Sequence, residues 1–267
     1  MTERPVAYRD HLDWARTLSI SRYTLLEAWR NRFVVVVLVL VAALLVASFF
    51  VEQLAITESR RVQVGFLAAA LRASIVFVTV LYVLQGMVRE FQDKVVEIIL
   101  SLDLPRASYV LGKFFAYLVL CAACAALCAA PLFLLADAPQ VAAWAVTLML
   151  ELWLLAAGAV FCMVTFNQLL PAATFVFSFY LLGRSITAIQ LMSTSTLAGT
   201  GPGAQAAARL ADLLAFVLPR LDAFAQTAWL VDSGAPPLSL PMAALQTGIY
   251  VGLLLAAAMF DLYRRNF

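Results

Sequence analysis

Charge is what this sequence has least of. Aspartate, glutamate, lysine and arginine make up 13% of its 267 residues, while 64% are hydrophobic and the mean hydropathy is +0.93. Soluble globular chains average about 25% charged residues, so a water-soluble globule is excluded. Eighteen basic residues stand against 16 acidic ones, a net charge of +2. That is too small for a nucleic-acid footprint, and no interleaving of basic and aromatic residues supplies one. Histidine occurs once, at His11, with no cysteine, histidine or carboxylate cluster around it, so no metal-site spacing is present. There is no G-x-x-x-x-G-K-[S/T], because Gly112-Lys113 is followed by Phe114 and lacks the upstream glycine. The chain therefore has no phosphate-binding loop with which to hold ATP itself. A Gly-x-Ser-x-Gly elbow and paired catalytic carboxylates are missing too, and the reading is of a protein that is not itself an enzyme.

What is present is long apolar runs. They are continuous rather than alternating, which implies helices and not a barrel. A crossing needs about 20 apolar residues, and six stretches qualify: 33–51, 67–88, 113–136, 140–164, 170–192 and 241–261. The expected fold is an all-α integral membrane domain over 33–267, preceded by a polar segment, 1–32, with six arginines. Trp14, Leu18, Leu25 and Trp29 share one helical face of that segment while Arg16 and Arg22 lie off it, the pattern of an amphipathic helix at the membrane interface. No cleaved signal peptide is expected, since the first apolar run begins too far from the N-terminus. Six crossings put both ends on one side. That side holds twelve of the 18 positive residues, so both termini are expected in the cytoplasm.

Between the fifth and sixth runs, residues 193–240 form the largest external segment. After the turn cluster Thr200-Gly201-Pro202-Gly203, Leu210, Leu213, Leu214 and Val217 repeat at helical spacing. Pro219 interrupts them and a second short segment, Asp222 to Val231, follows. The expectation is a helical hairpin over 204–232, resting on or dipping into the outer face. Within the runs, Cys121, Cys124 and Cys128 share one face of CAACAALCAA and Cys162 lies in the next span. They read as small packing residues, with a thiolate metal path as the sharper alternative. Charges inside spans are expensive and tend to be functional. Glu151 is near the middle of the fourth span and Arg184 lies in the fifth, with Arg72 toward the outer end of the second. A short turn around Phe166-Asn167-Gln168 makes the fourth and fifth spans antiparallel, so Glu151 and Arg184 are placed to pair, fixing helix packing or lining a path.

The longest charged interruption is Val88 to Lys113, VREFQDKVVEIILSLDLPRASYVLGK. Phe91, Val95, Ile98 and Leu102 recur on one side, and Glu90, Asp93, Lys94, Glu97 and Ser101 on the other. Pro105 closes the segment. It reads as a helix over 89–102, lying at the membrane surface and offering a charged face to something outside the chain.

This arrangement, over essentially the whole chain, resembles the membrane subunit of an ABC exporter, the ABC-2-type permease family. The resemblance is carried by Glu90, Ile99-Leu100, Pro105, Arg106, Gly112 and Lys113, which match a glutamate, a leucine-rich stretch, a proline, a basic residue and a Gly-Lys pair opening the third span. The small residue that the family often has a few positions after the glutamate is absent from Gln92-Asp93-Lys94-Val95. Within the family the chain looks most like short permeases grouped with multi-copper enzyme maturation systems. The resemblance implies a bacterial cytoplasmic (inner) membrane location and two permease copies, a homodimer. Each copy would bind a separate ABC ATPase subunit that holds ATP and Mg, with no cofactor in this chain and membrane lipid as its surroundings. It implies that Arg89, Glu90, Asp93, Lys94, Glu97, Pro105 and Arg106 form the coupling element, with Gly112 and Lys113 opening the next span. Two other classes remain open on composition: an ATPase-independent scaffold or assembly factor, and an ion-driven secondary transporter.

Overall fold

A computed structural model of the chain describes residues 14–54, 58–93, 106–194, 209, 212–215, 217–231 and 240–264. They include the α-helices α1 (Trp14–Arg30), α2 (Phe33–Leu54), α3 (Ser59–Gln92), α4 (Arg106–Leu132), α5 (Ala138–Phe166), α6 (Leu169–Thr194), the one-turn α7 (Ala228–Val231) and α8 (Leu240–Arg264). Among the described residues there is no strand. Six of the helices, all but α1 and α7, are long and apolar enough to cross a membrane.

The helices outrun the apolar stretches that announce them. α3 is 34 residues long, about 51 Å at 1.5 Å per residue, against a hydrocarbon core of about 30 Å. Hydropathy registers only the buried middle, while the polar turns at each end continue the same hydrogen-bond ladder. Two tight connections join successive helices, and the second makes α5 and α6 antiparallel. Asn31-Arg32 joins α1 to α2 with Arg32 at φ 55°, and Asn167-Gln168 joins α5 to α6 with Asn167 at φ 54°. The Asn167 amide donates to the Met163 carbonyl, the left-handed cap that asparagine tolerates better than most residues.

α5 is the axis of the bundle. Of its most apolar window 72% is buried, against 17% for α2 and 22% each for α6 and α8. It packs on α3, α4, α6 and α8, while α2 lies against α3 and α1 against α4. Large side chains such as Val39, Phe50, Leu170, Leu253 and Phe260 are exposed on the peripheral helices, as lipid-facing surfaces require. Small residues mediate the inner contacts, because lipid tails compete with large apolar ones on equal terms. The α4 face of Cys121, Cys124, Ala125, Cys128 and Ala129 is buried, and the Cys121 thiol lies 3.8 Å from the Leu152 carbonyl oxygen.

α1 follows the same rule and turns its small residues inward. Thr17, Ser21, Thr24 and Ala28 are buried, whereas Trp14, Leu18 and Trp29 are 59%, 65% and 74% exposed. The helix has a small-residue seam against α4 and a large apolar face left for lipid.

Two expectations are corrected. Residues 89–92 are not the start of a separate surface helix but the last turn of α3, which Asp93 ends; the stretch 94–105 lies outside the described residues. The external hairpin expected over 204–232 is helical at residues 212–215, but Asp222 to Val231 is no continuous helix. It is a 3₁₀ turn (Leu221–Ala223), an extended Phe224 and the short α7. Ala225 sits at φ 42°, a conformation that breaks any helix of L-residues. Leu221, Phe224, Ala225 and Trp229 are buried, so this segment enters the bundle.

Candidate functional site

Two polar groups stand out in this apolar molecule. The first is deep in the bundle. Glu151 lies fifteen residues before the end of α5 at Phe166, and Arg184 fifteen after the start of α6 at Leu169. Equal lengths from a tight turn bring the two side by side, about 22 Å from that turn. Arg184 Nη1 is 3.7 Å from Glu151 Oε1, and the Glu151 side chain is wholly buried. The same Nη1 donates to the carbonyls of Leu221 (2.7 Å) and Phe224 (2.8 Å). From α3, Arg72 Nη1 donates to the Ala225 carbonyl at 2.9 Å, and from α5 the Trp144 indole donates to that oxygen at 3.1 Å. The Thr147 hydroxyl accepts from the Ala225 amide at 3.2 Å. Thr187 closes the outer edge by donating to the Asp222 carboxylate at 2.6 Å.

These bonds explain why the segment 218–231 can leave regular structure at membrane depth. An irregular backbone there must find partners within the protein. The two arginines and Trp144 take the carbonyls of 221, 224 and 225 that helix amides would otherwise take. The group sets two guanidinium groups against the carboxylates of Glu151 and Asp222, and the guanidinium N–H groups meet three carbonyl dipoles. The arrangement fixes the segment 218–231 against α3, α5 and α6.

The second group is at the end of the bundle that carries α1. Glu90, in the last turn of α3, accepts a hydrogen bond from the Tyr109 hydroxyl at 2.7 Å and forms an ion pair with Lys113. The Glu90 and Lys113 side chains are 15% and 6% exposed. Glu90 is thus turned toward α4 and not outward with the other charges. The cause is Lys113, since a buried ammonium is tolerable only with a carboxylate against it. Beside it, a Cβ placed on Gly112 would stand 2.9 Å from both Ile20 Cβ and the Thr17 carbonyl oxygen of α1. Only glycine lets the two backbones approach this closely, and the Ser21 hydroxyl donates across the gap to the Gly112 carbonyl at 2.7 Å.

Of the residues the sequence singles out, Glu90, Gly112 and Lys113 come together, as do Glu151 and Arg184. Arg89 and Asp93 stay exposed at the end of α3. Arg106 opens α4, and Lys94, Glu97 and Pro105 lie outside the described residues. Sequence reasoning missed Trp144 and Thr147, although their spacing from Glu151 puts all three on one face of α5. It also missed Tyr109, and Ala225, for which the sequence carries no signal. The chain matches no protein-family model and no curated protein.

Proposed function

We propose that this chain is the membrane-spanning permease subunit of an ATP-driven ABC transporter, an exporter that works as a pair of copies. ATP hydrolysis would belong to a separate ATPase subunit, one bound to each permease copy, which holds the nucleotide and Mg. The observation that supports this reading is the Glu90–Tyr109–Lys113 group. It ties the last turn of α3 to the first turns of α4, the two helices that residues 94–105 connect. A push on that connection is delivered to both helices at once and, through Gly112, to α1. The expected docking surface consists of Arg89, Asp93, Lys94 and Glu97, with Pro105 and Arg106 completing the coupling element. Glu90 serves as its internal anchor. The proposed setting is a bacterial cytoplasmic membrane with both termini inside.

The test is a mild-detergent pull-down of tagged protein from its native membrane, with co-purified proteins identified by mass spectrometry and assayed for ATP hydrolysis. A stoichiometric ATPase is expected, and its loss on combined Asp93→Lys and Glu97→Lys reversal. Recovery of no ATPase under several detergents would overturn the reading in favour of a scaffold or an ion-driven carrier.

A further inference from the structure

A cavity of about 420 Å³ opens at the α1 end of the bundle, between the end of α1, the start of α2 and the last turns of α3. Its volume falls in the range of small-molecule sites, about 300–1,000 Å³. Its two ends differ in chemistry. Glu27, Gln85 and Arg89 line one end, and Val36, Phe77 and Leu81 the other. Arg89 and Phe77 are twelve residues apart on α3, so the cavity runs about 18 Å along that helix, from the polar boundary into the apolar zone. The Phe33 and Tyr82 rings, with centroids 4.1 Å apart, form part of its wall.

Among the described residues, the charged groups at the polar end leave their side-chain bonding capacity open. Glu90, next in sequence to Arg89, is held by Lys113 and Tyr109. Glu27 and Arg89 have no side-chain hydrogen bond or ion pair among the described residues. One unpaired acid and one unpaired base face the same space, with an apolar wall extending from them.

We infer that this cavity binds a zwitterionic membrane lipid whose head carries a primary amine and a phosphate, the amine on Glu27 and the phosphate on Arg89. A charge-assisted hydrogen bond is formed at each end of such a head. An anionic head without an amine brings negative charge to Glu27, and a quaternary ammonium has no N–H to donate to it. The volume accommodates the head and part of one chain against Val36, Phe77 and Leu81, the remainder lying in the bilayer. This inference does not rest on the ATP-driven reading, because binding is measured on the purified chain alone.

The experiment is native mass spectrometry of the protein in non-ionic detergent with equal amounts of phosphatidylethanolamine, phosphatidylcholine and phosphatidylglycerol of matched chains. Preferential retention of phosphatidylethanolamine by about tenfold is expected, the scale of one charge-assisted bond. Glu27→Gln should abolish the preference, and Arg89→Gln should weaken retention of all three. Gln85→Leu, which removes a neutral donor from the same end, supplies the reading should Glu27→Gln not be recovered folded; it should lower phosphatidylethanolamine retention. Equal retention of the three lipids, an undiminished preference in Glu27→Gln, or undiminished retention of the lipids in Arg89→Gln would overturn the inference. Soluble glycerophosphoethanolamine should not displace the lipid at equal concentration; displacement would show a free-head-group site and remove the apolar slot from the account.

Discussion

Lys113 shows how one residue can decide the role of another. Its side chain is 6% exposed, and an ammonium at that depth is stable only beside a carboxylate. Glu90 is therefore committed to the inside of the bundle by a residue 23 positions away. Glu90→Gln should destabilise the protein by about 3–5 kcal/mol, the usual effect of stranding a buried charge. Adding Lys113→Met should recover most of that loss, because the replacement removes the stranded charge and keeps much of the volume. Thermal unfolding midpoints of the two single variants and the double variant in one detergent measure it. Additive losses would mean that the pair is not coupled.

At the scale of the element, the segment 218–231 is held by its neighbours rather than by its own propensity. Its carbonyls at 221, 224 and 225 depend on Arg184, Arg72 and Trp144, and its Ala225 pays a local strain at φ 42°. Arg184→Gln removes two charge-assisted bonds worth about 1.5–3 kcal/mol each. Amide exchange at residues 221–226 should therefore accelerate at least about tenfold, with α4 unaffected. Ala225→Gly relieves the strain while leaving every named bond in place, so exchange there should slow or stay unchanged. Hydrogen exchange read peptide by peptide distinguishes the two. Faster exchange in Ala225→Gly would mean that the positive φ is not what the segment strains against.

At the scale of the whole molecule, six crossings put α1, the Asn167-Gln168 turn and the end of α8 at one end of the bundle, and Asp137 and the segment 218–231 at the other. Arg60 Nε, donating to the Leu135 carbonyl at 3.2 Å, ties the start of α3 to the turn after α4 at that second end. On the arginine and lysine bias, the α1 end is expected in the cytoplasm. Single cysteines introduced at Gln168 and Asp137 in a background without the four native ones test the orientation. A membrane-impermeant thiol reagent applied to intact cells should label Asp137→Cys and spare Gln168→Cys. The reverse pattern would invert the topology, and with it the side on which any ATPase could bind.

Composition and hydropathy by themselves determined that this is a helical chain with six runs long and apolar enough to cross a membrane, and roughly where each one lies. A crossing helix needs a long apolar run whatever its neighbours, so the signal is local. The spacing of Glu151 and Arg184 about the turn at Asn167 was legible for the same reason, since helical rise and a tight turn place both at one depth. Which face of α1 packs inward was decided only by the tertiary structure. Gly112 offered a close approach that Thr17, Ser21 and Ala28 fit and the tryptophans do not. The inward turn of Glu90 required Lys113 and Tyr109 to arrive from another helix. The path of 218–231 required donors from α3, α5 and α6 that no local pattern announces. Backbone and charge at membrane depth must be satisfied by whatever the fold brings within reach, and that reach is a property of the assembled bundle.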